Sequence, residues 1–390
     1  MASFGIRGNR AQLTSAPSDV TITVTFSSTP ASATSSYADV KYDKQSIFHL
    51  EVDDCPVQFM SVLPLFQGGV APEDSVSYPG YTFTDGCGNN KYWTAGVGIN
   101  VKSNYNDTLI LSGGAKMTTS DLDTVVAANM LPQSHGYYHN MVDGYYTTNN
   151  FTQTMNVSEC NKYIFTETGF VPRVFIIPNN DQNYTQTAEA LAMMATSSQS
   201  VTDGYPHSPD DNHIWTDHLG DTVDISSSMR VYGRDFVDDW NDTTLVQARK
   251  DMVLGMKNAS SSSVHKIYRV GTHGHNSANW TNFKGFISYI NSIAADTIWV
   301  TTTQEMLEYF EVKRNLIKSE SLSGNVLTIN LSYNNIPSNN RYRDITLKIN
   351  SATSISSISV TGTMDSSSYS TSNKLINVFK KKTTGFSTPL

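Results

Sequence analysis

The stretch SIFHLEVDDCP (Ser46–Pro56) decides the fold of this 390-residue chain. Its first seven residues form a short, largely apolar run that stops abruptly at Asp53-Asp54. A strand buried on both faces reads this way, as strands of parallel sheets do, and it delivers polar residues at its C-terminal edge.

Similar runs follow at Ala95–Val101, Arg173–Pro178, the HKIYRVGTHGHN segment from His265, and TIWVTT from Thr297, with a weaker strand near TVDISS (Thr222–Ser227). Helical spacing appears between them. TTSDLDTVVAANM carries Leu122, Val125, Val126 and Met130 on one face, with Thr119 or Ser120 as cap. Further helices are expected at about 187–194, 239–256, 280–295 and 304–310. Alternating strands and helices over about 45–312 argue for a parallel sheet or barrel.

Both ends of the chain differ. Residues 1–40 form a Ser/Thr-rich arm with one alternating strand, Val20–Phe26. Residues 313–390 contain alternating runs with no helical segment and read as a small antiparallel β domain, sandwich-like. The expected division is 1–40 arm, 41–312 barrel, 313–390 β domain.

Composition narrows the function. A net charge of −8 gives no basic footprint for nucleic acid. No stretch is long and apolar enough to span a membrane, and the N-terminal residues have no secretory h-region. Three cysteines, Cys55, Cys87 and Cys160, form no CxxC pair, which leaves one bridge and a thiol, or three thiols. Asn-x-Ser/Thr triplets occur at Asn106, Asn156 and Asn279, as chance allows in so polar a chain.

Chemistry-bearing residues gather where barrel strands should end: Asp53-Asp54, His135 and His139 in QSHGYYHN, and His273-Gly274-His275. One Asp and two His meet the ligand count of a catalytic zinc, and leave the second Asp as a base. QSHGYYHN lacks the Glu of the HExxH zinc-protease motif.

These segments resemble polysaccharide deacetylases (carbohydrate esterase family four, chitooligosaccharide-deacetylase-like). EVDDCP resembles that family's Asp-Asp motif, SHGYYH its His-[Ser/Thr]-x-x-His motif, FIIPNN its Pro-containing third motif and RVGTHGH its late catalytic His. The resemblance covers roughly residues 45–312 and implies a distorted (β/α) barrel. It implies Asp53 as general base, Asp54, His135 and His139 as metal ligands, and His273 as general acid, with His275 as second candidate. Zinc is the expected metal and an N-acetylated or O-acetylated polysaccharide the substrate. Tyr137, Tyr138, Asn179 and Trp240 are expected at the substrate, with Trp93 and Trp215 as further aromatic candidates.

Three departures from the family pattern stand out. Cys55 replaces a usual Gly and Gly136 a usual Ser/Thr. Arg173 lies five residues before Pro178, where an Arg-x-Pro element would orient the base. A non-catalytic glycan-binding or structural barrel is therefore the alternative. Action outside the cell is expected, either as a virion component beside other virion proteins or from a chain whose leader is missing.

Overall fold

The structure is a computed structural model describing residues 19–104, 106–139, 153–180, 187–198, 230–382 and 384–386. The TVDISS segment and Trp215 lie outside the described residues.

After β1 (Val20–Phe26) and β2 (Thr34–Tyr37), β3 (Ser46–Val52) opens the barrel. Helix α1 (Phe59–Gln67) and two hairpins, β4 (Gly69–Val70) with β5 (Ser77–Tyr78) and β6 (Thr82–Thr84) with β7 (Asn90–Tyr92), follow before the next barrel strand. Then come β8 (Gly96–Ile99), α2 (Thr119–Ala127), β9 (Leu131–Ser134), α3 (Gln153–Thr168) and β10 (Val174–Ile176). The cap of α2 is Thr118, in a reciprocal capping box with Asp121, rather than Thr119 or Ser120. Next are α4 (Ala188–Ala192), β11 (Ala195–Ser198), β12 (Arg230–Gly233), β13 (Asp235–Phe236), α5 (Thr243–Ala259) and β14 (Lys266–Thr272). Helix α6 (Trp280–Ala294), β15 (Ile298–Val300) and α7 (Thr303–Asn315) complete the α/β part.

The barrel strands pair in parallel in the order β12-β11-β10-β9-β8-β3-β14-β13, and β15 pairs with the first half of β3. The two ends of that order meet. β12 pairs with β11, β13 pairs with β14, and only Arg234 separates β12 from β13. One chain run therefore joins both edges and closes the sheet into the distorted (β/α) barrel expected from the sequence.

Alternation along β3 sends Phe48, Leu50 and Val52 outward, where Phe48 meets Phe286 of α6. His49, Glu51 and Asp53 point inward. The interior is polar. Glu51 Oε1 accepts from Gln133 Nε2 (3.0 Å), Arg269 Nη2 (2.9 Å) and Thr303 Oγ1 (2.7 Å), and its Oε2 lies 3.4 Å from Arg234 Nη1. Interior glycines make the room. A side chain at Gly96 would overlap that of Gln133, and a Cβ at Gly271 would lie 2.9 Å from Arg234 Cδ.

The N-terminal arm and the C-terminal segment form one β structure. β16 (Ile317–Ser323), β17 (Val326–Ser332), β1 and β19 (Ile355–Gly362) make one antiparallel sheet, with β1 in an inner position. β2, β18 (Ile345–Asn350), β21 (Leu375–Phe379) and β20 (Ser366–Ser370) make the second. The apolar face of β1 (Val20, Ile22, Val24, Phe26) is buried in the same core as Leu327, Ile345 and Ile376. This sandwich is pinned to the barrel by Lys41, whose ammonium meets Glu305 of α7 at 2.7 Å and Asp344 at 2.6 Å.

Removing one member of a buried charge network strands the others without compensation. Glu51→Ala should therefore lower the unfolding free energy by about 3–5 kcal/mol. Chemical denaturation would measure it, and a loss below about 1 kcal/mol would show that the two arginines do not depend on this carboxylate.

Candidate metal centre

Asp53 continues β3 on its inner face. At Asp54 the chain bends, with φ of 68° there and 43° at Cys55. Two consecutive left-handed residues that are not glycine cost on the order of 1–2 kcal/mol each. Hydrogen bonds hold the bend: Cys55 N–H donates to Gly98 O (2.8 Å), Met117 N–H to Cys55 O (2.9 Å) and Lys116 Nζ to Asp54 O (2.7 Å). A left-handed position is one that Gly takes at no steric cost. Cys55 fits because its thiol is fully buried, which pushes it up to about 12 and leaves it unreactive. All three cysteines are free thiols.

The bend brings Asp54 to two imidazoles. Its Oδ1 lies 3.4 Å from His135 Nε2 and 3.4 Å from His139 Nε2. One ligand atom from each of the three residues falls within 4.8 Å of the others. His135 follows β9 on the barrel interior. Its Nδ1 donates to Ile176 O at 3.0 Å, which leaves the Nε2 lone pair facing Asp54. Gly98 permits this placement, since a Cβ there would lie 3.3 Å from His135 Cβ and 3.1 Å from Ile176 Cδ1.

A cation fits this site. Asp54 Oδ1 and His135 Nε2 are buried and lack a hydrogen-bond partner, an arrangement that costs free energy unless something positive lies between them. Burial pushes His139 down to about 4, His135 adds to this, and its imidazole is therefore the neutral form that a metal needs. Burial raises the Asp54 carboxyl, but His135, His139 and Lys116 outweigh it and hold the group well below the usual carboxylate range. One oxygen and two nitrogens suit zinc or a similar divalent ion.

On one side of the triad stands Asp53, gripped bidentately by a residue the motif reading missed. Arg234 Nη1 donates to Oδ1 (2.7 Å) and Nη2 to Oδ2 (2.5 Å). Arg173 does not take this role. It serves the seam with the sandwich, where its Nη1 donates to Glu311 Oε2 at 3.0 Å.

On another side stands His273, whose Nδ1 is 3.0 Å from both oxygens of Asp238. Asp238 raises the His273 pKa, more than offsetting burial, and Asp53 and Asp54 add to the rise. Asp238 lies in the DFVDDW run, Asp235–Trp240.

Four expectations are corrected. His275 turns away from the triad and stacks on Trp280, with ring centroids 4.3 Å apart; burial pushes it down to about 4. Trp240 is fully buried between Phe283 and Phe286, its Nε1 donating to Gly274 O. It shapes the His273 loop from behind and offers no face to a substrate. Tyr138 is also buried, with its hydroxyl on Asp107 (2.6 Å), and Trp93 packs on Phe66 and Tyr81. Tyr137 is half-buried and Asn179 exposed beyond β10, so both remain available to a ligand. Phe236 is a partly exposed ring 4.9 Å from that of His273, and sequence periodicity did not single it out.

The brace expected from a Ser/Thr at position 136 comes from elsewhere. Gly136 has φ of 91°, and a Cβ there would lie 2.7 Å from Tyr138 O and 2.8 Å from Asn156 Nδ2. Asn156 of α3 does the bracing, accepting from Tyr138 N–H (2.7 Å) and donating to Tyr138 O (2.9 Å). Asn100 donates to His135 O (3.1 Å). Asn156, part of a glycosylation-like triplet, is wholly buried.

No protein-family model and no curated protein matches this chain. Similar solved structures include the Xyl-CE4 domain of a multidomain xylanase from the hindgut metagenome of Trinervitermes trinervoides (12% identical, covering 68% of this chain and 90% of that one, TM-score 0.37). A family 4 acetyl xylan esterase from Clostridium thermocellum in complex with a cobalt ion is 12% identical over 67% of this chain and 89% of its own (TM-score 0.34). A CE4 family pseudoenzyme from Bacillus anthracis is 11% identical over 67% of this chain and 66% of its own (TM-score 0.34).

Two measurements check the centre. Asn156→Ala should weaken zinc binding on the order of tenfold, read by competition with a chelating dye; unchanged affinity would remove Asn156 from the site's support. Asp238→Asn should lower the His273 pKa in an NMR titration, because the largest contribution raising it is gone. An unmoved pKa would mean that the pair does not set the protonation of His273.

Proposed function

We propose that this chain is a metal-dependent hydrolase that removes acetyl groups, from nitrogen or oxygen, on a polysaccharide. The observation that carries this reading is the placement of two differently partnered groups beside one ligand triad. Asp53 is fixed by a guanidinium and His273 by a carboxylate. A base and an acid with separate partners are what hydrolysis of an amide or ester requires.

A divalent cation, most simply zinc, held by Asp54, His135 and His139 would polarise the acetyl carbonyl and lower the pKa of a water beside it. The chain's own groups do the rest. Arg234 occupies both oxygens of Asp53 from below and sets the plane of the carboxylate, whose remaining lone pairs accept the proton of the attacking water. Asp238 holds Nδ1 of His273, which orients Nε2 to donate a proton to the departing amine or alkoxide. Glu51 anchors the far side of Arg234, so the base is tied into the barrel interior. Phe236 and Tyr137 supply apolar edge near these groups.

The features that suggested a non-catalytic barrel have physical accounts. Arg234 supplies the guanidinium that Arg173 does not, and Cys55 tolerates its left-handed position as a buried, inert thiol. The substrate in this reading is a surface glycan. The chain would meet it outside the cell, on a virion among other virion proteins or as an exported protein.

Asp53→Asn should abolish acetate release from N-acetylated and O-acetylated glycans while one equivalent of zinc still binds. A variant that kept turnover would show the base to be another group. A wild-type protein that bound zinc but released no acetate from any acetylated glycan would overturn the reading itself.

A further inference from the structure

A second site lies at the other end of the barrel. A cavity of about 470 Å³ opens where the N-terminal strand ends meet the sandwich, lined among others by Lys41, Lys91, Trp299, Tyr342, Asp344 and Lys381. That volume holds a sugar-sized molecule rather than a bare ion.

The charges on its walls are unequally committed. Glu305 Oε1 and Asp344 Oδ2 both accept from Lys41. Their other oxygens accept from Thr301 Oγ1 (2.6 Å) and Lys380 N–H (2.8 Å). Asp365 Oδ2 accepts from Lys381 N–H (2.6 Å). The carboxylates are thus largely spoken for, while two ammonium groups are not. Lys91 Nζ sits 4.1 Å from the centroid of the Phe379 ring. Lys381 Nζ sits 5.5 Å from that of Tyr342 and meets the side-chain oxygen of Asn129. Neither lysine forms an ion pair with a carboxylate among the described residues.

A third donor is independent of these. Tyr342 is 7% exposed, and its hydroxyl is buried without a hydrogen-bond partner, a cost that a ligand acceptor would remove. The cavity therefore presents two ammonium groups without a carboxylate partner, on walls where three lysines balance three carboxylates.

We propose that this cavity binds the anionic group, a carboxylate or a phosphate, of a sugar-sized ligand, with Lys91 and Lys381 on the charge and the Tyr342 hydroxyl donating to it. Flexible ammoniums suit either anion as point charges. Burial, and then Arg341, push Lys381 down to about 8, and a bound anion would oppose that shift. The inference is separate from the hydrolase reading, because the metal centre lies at the opposite strand ends.

The test is isothermal titration of the full chain with inorganic phosphate, glucuronate and glucose. Glucuronate or phosphate should bind, glucose should not, and whichever anion binds names the group. Lys91→Met with Lys381→Met should weaken that binding at least tenfold, Tyr342→Phe should weaken it severalfold, and the melting temperature of each variant should match wild type. The proposal fails if neither anion binds, if glucose binds as well, or if the double lysine variant keeps full affinity. It also fails if binding disappears in Asp54→Ala instead, since the anion would then be at the metal centre.

Discussion

The guanidinium of Arg234 is the contact on which the rest of this molecule depends. It stands at the one residue between β12 and β13, where the chain stops pairing with β11 and begins pairing with β14. The same side chain spans Asp53 and Glu51 in the barrel interior. Closure of the sheet and orientation of the Asp53 carboxylate are thus one event. A barrel packed with branched aliphatics could close as tightly, but it would leave the strand-end carboxylate free to rotate. Here the interior charges, Asp53 and Glu51 against Arg234 and Arg269, balance one another, which is the condition for burying them at all.

The Asp54–His135–His139 triad depends on a different constraint, backbone bends. Asp54 reaches the histidines only because residues 54 and 55 turn left-handed, and His139 reaches Asp54 across a loop in which Gly136 also has positive φ. Lys116, Met117 and Gly98 hold the first; Asn156 and Asn100 hold the second. Such braces can come from distant segments, because a hydrogen bond to a main-chain group can arrive from any nearby element.

The two β segments at the chain ends meet under the barrel and give it a floor. Lys41 joins helix α7 to the sandwich through Glu305 and Asp344, and the cavity beside it is built from both parts. The position of β1 inside its sheet makes the N-terminal strand a core element of that floor, since each of its edges is paired.

The sequence by itself showed five of the parallel strands, β3, β8, β10, β14 and β15, and the order of the motifs, but not the short β9, β11, β12 and β13. Uninterrupted apolar runs reveal buried strands, and polar residues at their ends have few other reasons to be there. It also showed β1, whose alternation is strict. It did not show α3, because the buried side of that helix includes Asn156, Cys160 and Asn161 and has little apolar periodicity. Nor did it show which tryptophans are exposed, since Trp240 and a substrate-stacking Trp look alike in a chain of letters. Only the tertiary structure decided that Arg234, not Arg173, holds Asp53, that Asp238 holds His273, and that His275 faces away. These are contacts across 35 to 181 residues of chain, and no local pattern encodes a pairing that forms only when the barrel closes.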